Sequence, residues 1–237
     1  MDEEGIQHLR NYVGGCFVEH DGPEWMDVLE PATGAMFARL PLSDSNDVDA
    51  AVEAAREAQP GWAALGIEAR ADWLDKIADS LEASFDEIAE LESRDTGKPI
   101  SLARAVDANR SVANFRFFAG LIREQEQETF EMDDATNYVV NRPVGVGALI
   151  TPWNLPLYLL SWKVAPAIGM GNTVVCKPSE LTPMTADLLM RVIDRVGLPA
   201  GVVNLVHGDG RGAGSPLVAH PGIDLVSFLS LIHISEP

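Results

Sequence analysis

Residues 144–180 read VGVGALITPWNLPLYLLSWKVAPAIGMGNTVVCKPSE. Val144 to Ile150 is an apolar run rich in Val and Gly, and Thr173 to Cys176 is a second, β-branched one. Between them Pro156 to Ile168 is mostly apolar and of helix length, with Pro166 awkward near its end. Short apolar runs flanking a helix-length one predict strand, helix, strand, buried on both faces. Toward the C-terminus the pattern repeats. Leu181 to Val196 reads as a helix with Pro183 in its first turn, Gly201 to Val206 as a strand, Gly212 to Ala219 as a short helix, and Asp224 to Phe228 as a fourth strand. This alternation predicts an open parallel α/β sheet with right-handed crossovers.

Toward the N-terminus the period changes to that of helices. Ile100 to Glu124 carries Val106, Val112, Phe115 and Phe118 inward. Thr96-Gly97-Lys98-Pro99 breaks the run, and a long helix over Ile67 to Arg94 shows an apolar stripe of Trp73, Leu74, Ile77, Leu81, Phe85, Ile88 and Leu91. A further helix covers Asp47 to Gln59, with Ser45 or Asn46 as its cap and Pro60-Gly61 as its stop. Residues 11–40 read as an irregular arm of short strands with turns at Asp21-Gly22-Pro23 and Pro31-Ala32-Thr33-Gly34, and Tyr138 to Asn141 as an isolated strand.

The 237 residues carry 36 acids against 17 Lys and Arg, a formal net charge of -19. Such a charge excludes nucleic acid and anionic membrane surfaces as partners. Two readings of it stay open: a surface adapted to high salt, or an ordinary acidic cytoplasmic protein. No uncharged apolar stretch reaches membrane-span length, and the N-terminus lacks the apolar run of a signal peptide. The two cysteines cannot make a disulfide framework, and the five histidines make no compact metal motif, so no metal is expected.

Ligands of open parallel sheets bind beyond the carboxyl ends of the strands. Three segments follow such ends: Ile150 to Asn154, Lys177-Pro178-Ser179-Glu180, and the glycine loop Gly208 to Gly214. Lys177 can meet a phosphate or a ribose, and Glu180 can accept from ribose hydroxyls; placed at an adenine ribose it would repel a 2'-phosphate and so favour NAD over NADP. The glycine loop is either a plain turn or a place where a pyrophosphate approaches the backbone at a helix start. Asn154 is either an oxyanion donor or a turn asparagine. Trp153 and Trp162 read as core aromatics rather than pocket walls, and Cys176 as a buried, unreactive strand thiol despite its neighbour Lys177.

These residues resemble the N-terminal half of the NAD(P)-dependent aldehyde dehydrogenase family over about residues 10–228. The resemblance rests on Thr151-Pro152-Trp153-Asn154-Leu155-Pro156, on Trp162 to Ala167, on Gly171 to Glu180, on Gly201-Val202-Val203-Asn204 with its glycine loop, and on Thr96-Gly97-Lys98. It implies an α/β aldehyde dehydrogenase-like fold and a homo-oligomeric full-length parent, while the lack of a signal peptide and of a membrane-span stretch sets the expectation of a soluble, cytoplasmic protein. Its divisions are an arm over 1–45, helices of the cofactor domain over 46–136, an oligomerisation-type strand over 137–143, an incomplete cofactor-binding part over 144–228, and a tail over 229–237. It implies Asn154 as the oxyanion residue, and Ile150, Thr151, Pro152, Trp153, Lys177, Ser179, Glu180 and Gly210 as cofactor contacts. The implied reaction converts an aldehyde to its acid. A cysteine thiolate attacks, hydride passes to the nicotinamide of NAD, and a glutamate-activated water hydrolyses the thioester. Arg110 to Ala119 and Pro152 to Leu160 resemble most the muconic semialdehyde branch, with betaine-aldehyde and succinate-semialdehyde branches also fitting.

The resemblance also implies departures. No residue of the chain matches the family's nucleophile or base, and after Val226-Ser227-Phe228 the pattern stops. A truncated chain with a foreign tail, itself inactive and poorly soluble, is therefore expected, or alternatively a non-catalytic nucleotide-binding module.

Overall fold

The computed structural model describes residues 5–20, 22, 24–125 and 128–230. The turn expected at Asp21-Gly22-Pro23 and the tail beyond Ser230 lie outside the described residues, Gly22 excepted. In chain order the arm forms β1 (Gln7–His8), β2 (Asn11–Val13), β3 (Cys16–Val18), β4 (Trp25–Leu29) and β5 (Met36–Pro41). Helices α1 (Ser45–Ala63), α2 (Ile67–Ala83), α3 (Phe85–Thr96), α4 (Ile100–Leu102) and α5 (Asn109–Arg123) follow, with a π turn over Ala103–Ala108 between the last two. After a hairpin of β6 (Thr129–Glu131) and β7 (Thr136–Tyr138) come β8 (Val146–Ile150), α6 (Pro156–Gly169), β9 (Thr173–Lys177), α7 (Met184–Val196), β10 (Val203–Leu205), a π turn over Gly210–Gly214, α8 (Ser215–Ala219) and β11 (Leu225–Phe228).

The main sheet has the order β11-β8-β9-β10-β2-β3. Its first four strands are parallel, as the alternating pattern requires. The β2–β3 hairpin joins antiparallel to β10, so the sheet is mixed and part of the arm belongs to it. Both faces are covered, and the strand period of two divides the side chains between them. Leu149, Val174 and Cys176 pack toward α2, α5, α6 and α7. Val146, Ala148, Ile150 and Val175 pack toward α1 and α8, through Val48, Val52 and Leu217.

Several helix boundaries differ from those the sequence predicts. Asp44, not Ser45 or Asn46, caps α1: its carboxylate accepts from the N–H groups of Asn46 and Asp47, and Asp47 reciprocates. Pro60 does not stop that helix. It continues to Ala63 because Trp62 is buried and its indole N–H donates to Ile168 O at 2.8 Å. The long helix is two helices, broken where Ser84 leaves helical backbone at φ -101° and ψ 15°. The third is interrupted by the π turn, which leaves Val106 half-buried and turns Asp107 into the core. Gly97 does end α3, at φ 75°, in the left-handed conformation that a Cβ would resist. The strand expected at Tyr138 to Asn141 lies earlier, at Thr136–Tyr138, because it pairs with Thr129–Glu131. Helix α7 starts at Met184, not Leu181.

Candidate functional site

Chain order fixes where a crevice must open. From β8 the chain moves outward to β9 and β10, then returns to place β11 on the opposite side of β8. The connections diverge at β8, and the space beyond its carboxyl end is left uncovered. Register puts Phe228 beside Ile150 and Ile150 beside Lys177, so the last residues of three strands form one row across the sheet.

A cleft of about 470 Å³ opens above that row. Its wall is Ile150, Thr151, Pro152 and Trp153 from the β8 loop, Lys177, Ser179 and Glu180 from the β9 loop, and Gly210 and Gly214 from the glycine loop, with Ser215, Val218, Phe228 and Leu229 closing it. All eight residues expected to contact a cofactor therefore share one cavity of ligand size. Asn154 lies just past that wall, with its side-chain Oδ1 buried and lacking a protein partner. Trp153 and Trp162 are 39% and 47% exposed, which corrects the expectation of core aromatics; Trp153 stands on the cleft wall.

Lys177 is buried, and its ammonium donates to Glu180 Oε2 at 2.9 Å. Three features suit an adenosine diphosphate group. The ion pair offers a cation and an acceptor together. Thr151 Oγ1 is buried in the wall without a protein partner. A Cβ on Gly210 would meet no atom within 4 Å, so the backbone there is open to a close ligand. The helix start does not serve as expected. Asp209 Oδ1 accepts from the N–H groups of Arg211 and Gly212 at 3.0 and 2.6 Å, and its carbonyl takes those of Ala213 and Gly214. Those donors are engaged inside the loop. Gly208, at φ 136°, shapes the loop's entry, and a Cβ there would meet Ala213 Cβ at 3.0 Å and Ser43 N at 3.2 Å.

Cys176 is fully buried on the face opposite Lys177, and burial pushes its thiol well above the usual range. It is the inert strand thiol that its neighbours Val174 and Val175 predict. Cys16 is exposed on β3. Among the described residues no group of three or more His, Cys, Asp or Glu could hold a metal ion, and no helix is long and apolar enough to cross a membrane.

Beneath the β8 loop lies a polar cluster that sequence reasoning missed. Glu92, Asp95 and Asp107 are buried, and Lys98 Nζ donates to Asp107 Oδ1 at 2.8 Å. Burial, with repulsion from Asp107, raises Glu92 to about 7; burial also raises Asp95 to about 8. A signal existed: Glu92 and Asp95 follow Ile88 at helical spacings of four and seven, on the apolar face of α3.

The aldehyde dehydrogenase family profile matches residues 17–231. The chain belongs to the aldehyde dehydrogenase family. It is 47% identical over 226 residues to 2-aminomuconic semialdehyde dehydrogenase of Bos taurus, covering 94% of this chain and 46% of that protein. It is 44% identical to 2-hydroxymuconic semialdehyde dehydrogenase of Pseudomonas sp. strain CF600, covering 94% of this chain and 47% of that protein. These relatives agree with the branch that Arg110 to Ala119 and Pro152 to Leu160 resemble. Among solved structures, PnpE in complex with nicotinamide adenine dinucleotide superposes with a TM-score of 0.88 at 41% identity, over 92% of this chain and 45% of that one. Lactaldehyde dehydrogenase from Escherichia coli gives 0.89 at 37% identity, over 93% and 46%. The chain thus spans about half the length of the relatives it matches.

Proposed function

We propose that this chain is the dinucleotide-binding part of an enzyme that oxidises an aldehyde, of the semialdehyde class, to the carboxylic acid with NAD. The observation that carries this reading is the single cleft beyond β8, β9 and β11, in which the Lys177–Glu180 pair faces the glycine loop. Lys177 and Glu180 hold the adenosine ribose, Ser179 and Gly210 flank the phosphates, and Ile150, Thr151, Pro152 and Trp153 form the wall along which the cofactor extends. The nicotinamide, when bound, accepts hydride from the substrate. Asn154 turns its amide toward the carbonyl oxygen and stabilises the charge that develops there.

Glu180 sets cofactor choice: its carboxylate repels a 2'-phosphate and accepts from free ribose hydroxyls, so NAD is preferred to NADP. The nucleophile is not Cys176, whose thiol is sealed in the sheet. Cys16 lies on β3, at the opposite end of the main sheet from β11 and the cleft, so on this reading neither cysteine serves the cleft and the 237 residues act as a binding module. The exposed hairpin carrying Phe130 and Tyr138 is the surface through which copies associate in the assembled enzyme. Calorimetric titration of the chain with NAD tests the reading. Saturable binding at one site supports it, and absence of heat at millimolar NAD would refute it.

A further inference from the structure

The loop from Thr151 to Leu155 has no regular secondary structure, yet Thr151, Pro152 and Trp153 on it form one side of the cleft wall. Helix α6, which follows it, begins without a side-chain cap from its own N-cap residue Leu155. Groups that hold this stretch in place come from elsewhere in the chain. Lys98 Nζ donates to the main-chain carbonyl of Asn154 at 3.2 Å. Glu92 Oε1 accepts from the N–H of Leu157 at 3.0 Å, acting as a remote cap for α6. Thr182 Oγ1 donates to Trp153 O at 3.2 Å.

Of these, Lys98 has the geometry of a fixed strut. It sits directly after the left-handed turn at Gly97, so its direction is set by the end of α3. Its side chain is 11% exposed and pairs with Asp107, which is wholly buried within the π turn, while Glu92 Oε2 lies 3.7 Å away. A charged donor held between two buried carboxylates has little rotamer freedom, and a charge-assisted bond to a main-chain carbonyl is among the stronger single contacts. A lysine engaged only in a structural ion pair has no need of the further bond to Asn154, a residue of the cleft loop whose buried side-chain oxygen has no protein partner.

We infer that Lys98, oriented by Asp107 and Glu92, is a positioning residue that fixes Trp153 and Asn154 relative to the cleft. Only its affinity readout below rests on the dinucleotide reading.

The test uses the full 237-residue chain. Lys98→Met alone leaves Asp107 buried and unpaired, which destabilises the whole fold. The double variant Lys98→Met/Asp107→Asn removes that charge as well as the donor. Amide hydrogen exchange is followed at residues 151–157 and, as the internal standard, at Val174 to Cys176 in β9. The expected result is exchange faster by ~10-fold at 151–157 with β9 unchanged, the size expected for one lost charge-assisted bond. The NAD dissociation constant, read from calorimetry, should rise by a similar ~10-fold. Equal acceleration in both regions, no acceleration in a folded double variant, or failure of the double variant to fold would each overturn the inference, because each assigns Lys98 to general stability or to nothing. If the unmutated chain binds no NAD while the exchange difference holds, the cofactor reading fails and the positioning role stands.

Discussion

Lys177 Nζ and Glu180 Oε2 stand 2.9 Å apart at the mouth of the cleft, with the lysine side chain 5% exposed and the glutamate 28% exposed. The lysine is held by β9 and the glutamate lies three residues on, in the turn before α7, so the pair is rigid on one side and adjustable on the other.

That asymmetry predicts separable effects. Lys177→Met should weaken NAD binding by ~10–100-fold, the range for losing a hydrogen bond from a charged donor. Glu180→Gln should cost less for NAD yet raise NADP affinity by ~10-fold or more, since the repelled 2'-phosphate no longer meets a carboxylate. Parallel titrations with both cofactors check this, and an unchanged NAD:NADP ratio in Glu180→Gln contradicts the assigned role.

The buried acids under the β8 loop make stability depend on pH. Glu92 and Asp95 titrate at about 7 and about 8 in the fold, above their values in an unfolded chain. The folded state thus binds more protons than the unfolded one between the ordinary carboxylate range and pH 8. Stability is fully present at acid pH below that window, falls as pH rises across it, and levels off above about 8. The loss from Glu92 alone is on the order of 3 kcal/mol. Urea melts from pH 5 to 9 should show this decline, and Glu92→Gln/Asp95→Asn should flatten it, because an amide oxygen can still accept from Leu157 or Met184.

Much of this was legible in the strand pattern of residues 144–228. The short apolar runs and the helix-length spacers between them foretold a parallel sheet, and the loops after its strands foretold the cleft residues that the structure brings together. The failures share a cause: tertiary partners that local sequence does not show. Pro60 is carried past by the anchoring of Trp62, and the hairpin β2–β3 reads as an arm until β10 is there to pair with it. The donors of the glycine loop look free until Asp209 is seen to cap them. Lys98 carries no local mark of its bond to Asn154, since 56 residues separate the two.

The net charge of -19 predicts a response to salt. Local compensation exists, as where Arg123 meets Glu68, Asp72 and Asp75, but 36 acids face only 17 Lys and Arg. Screening of self-repulsion should raise the melting temperature as potassium chloride increases beyond physiological strength. A fall in melting temperature over the same range would argue for an ordinary acidic surface.

Among the described residues strand β11 is an end strand of the main sheet and exposes Leu225, Val226 and Phe228. An uncovered apolar edge recruits further strands. Val226→Lys should reduce self-association of the purified chain, measured by sedimentation velocity, with no loss of helical circular dichroism. Unchanged association would place the sticky surface elsewhere, for instance on the hairpin carrying Phe130 and Tyr138.

The most direct test of the cofactor cleft is a hydrogen-exchange footprint of the chain with and without saturating NAD. Slower exchange confined to residues 150–153, 177–180 and 210–215 is the predicted result, since these segments form the wall. Protection centred on the α5–α6 surface around Phe118 and Met170, or none at all, would contradict it.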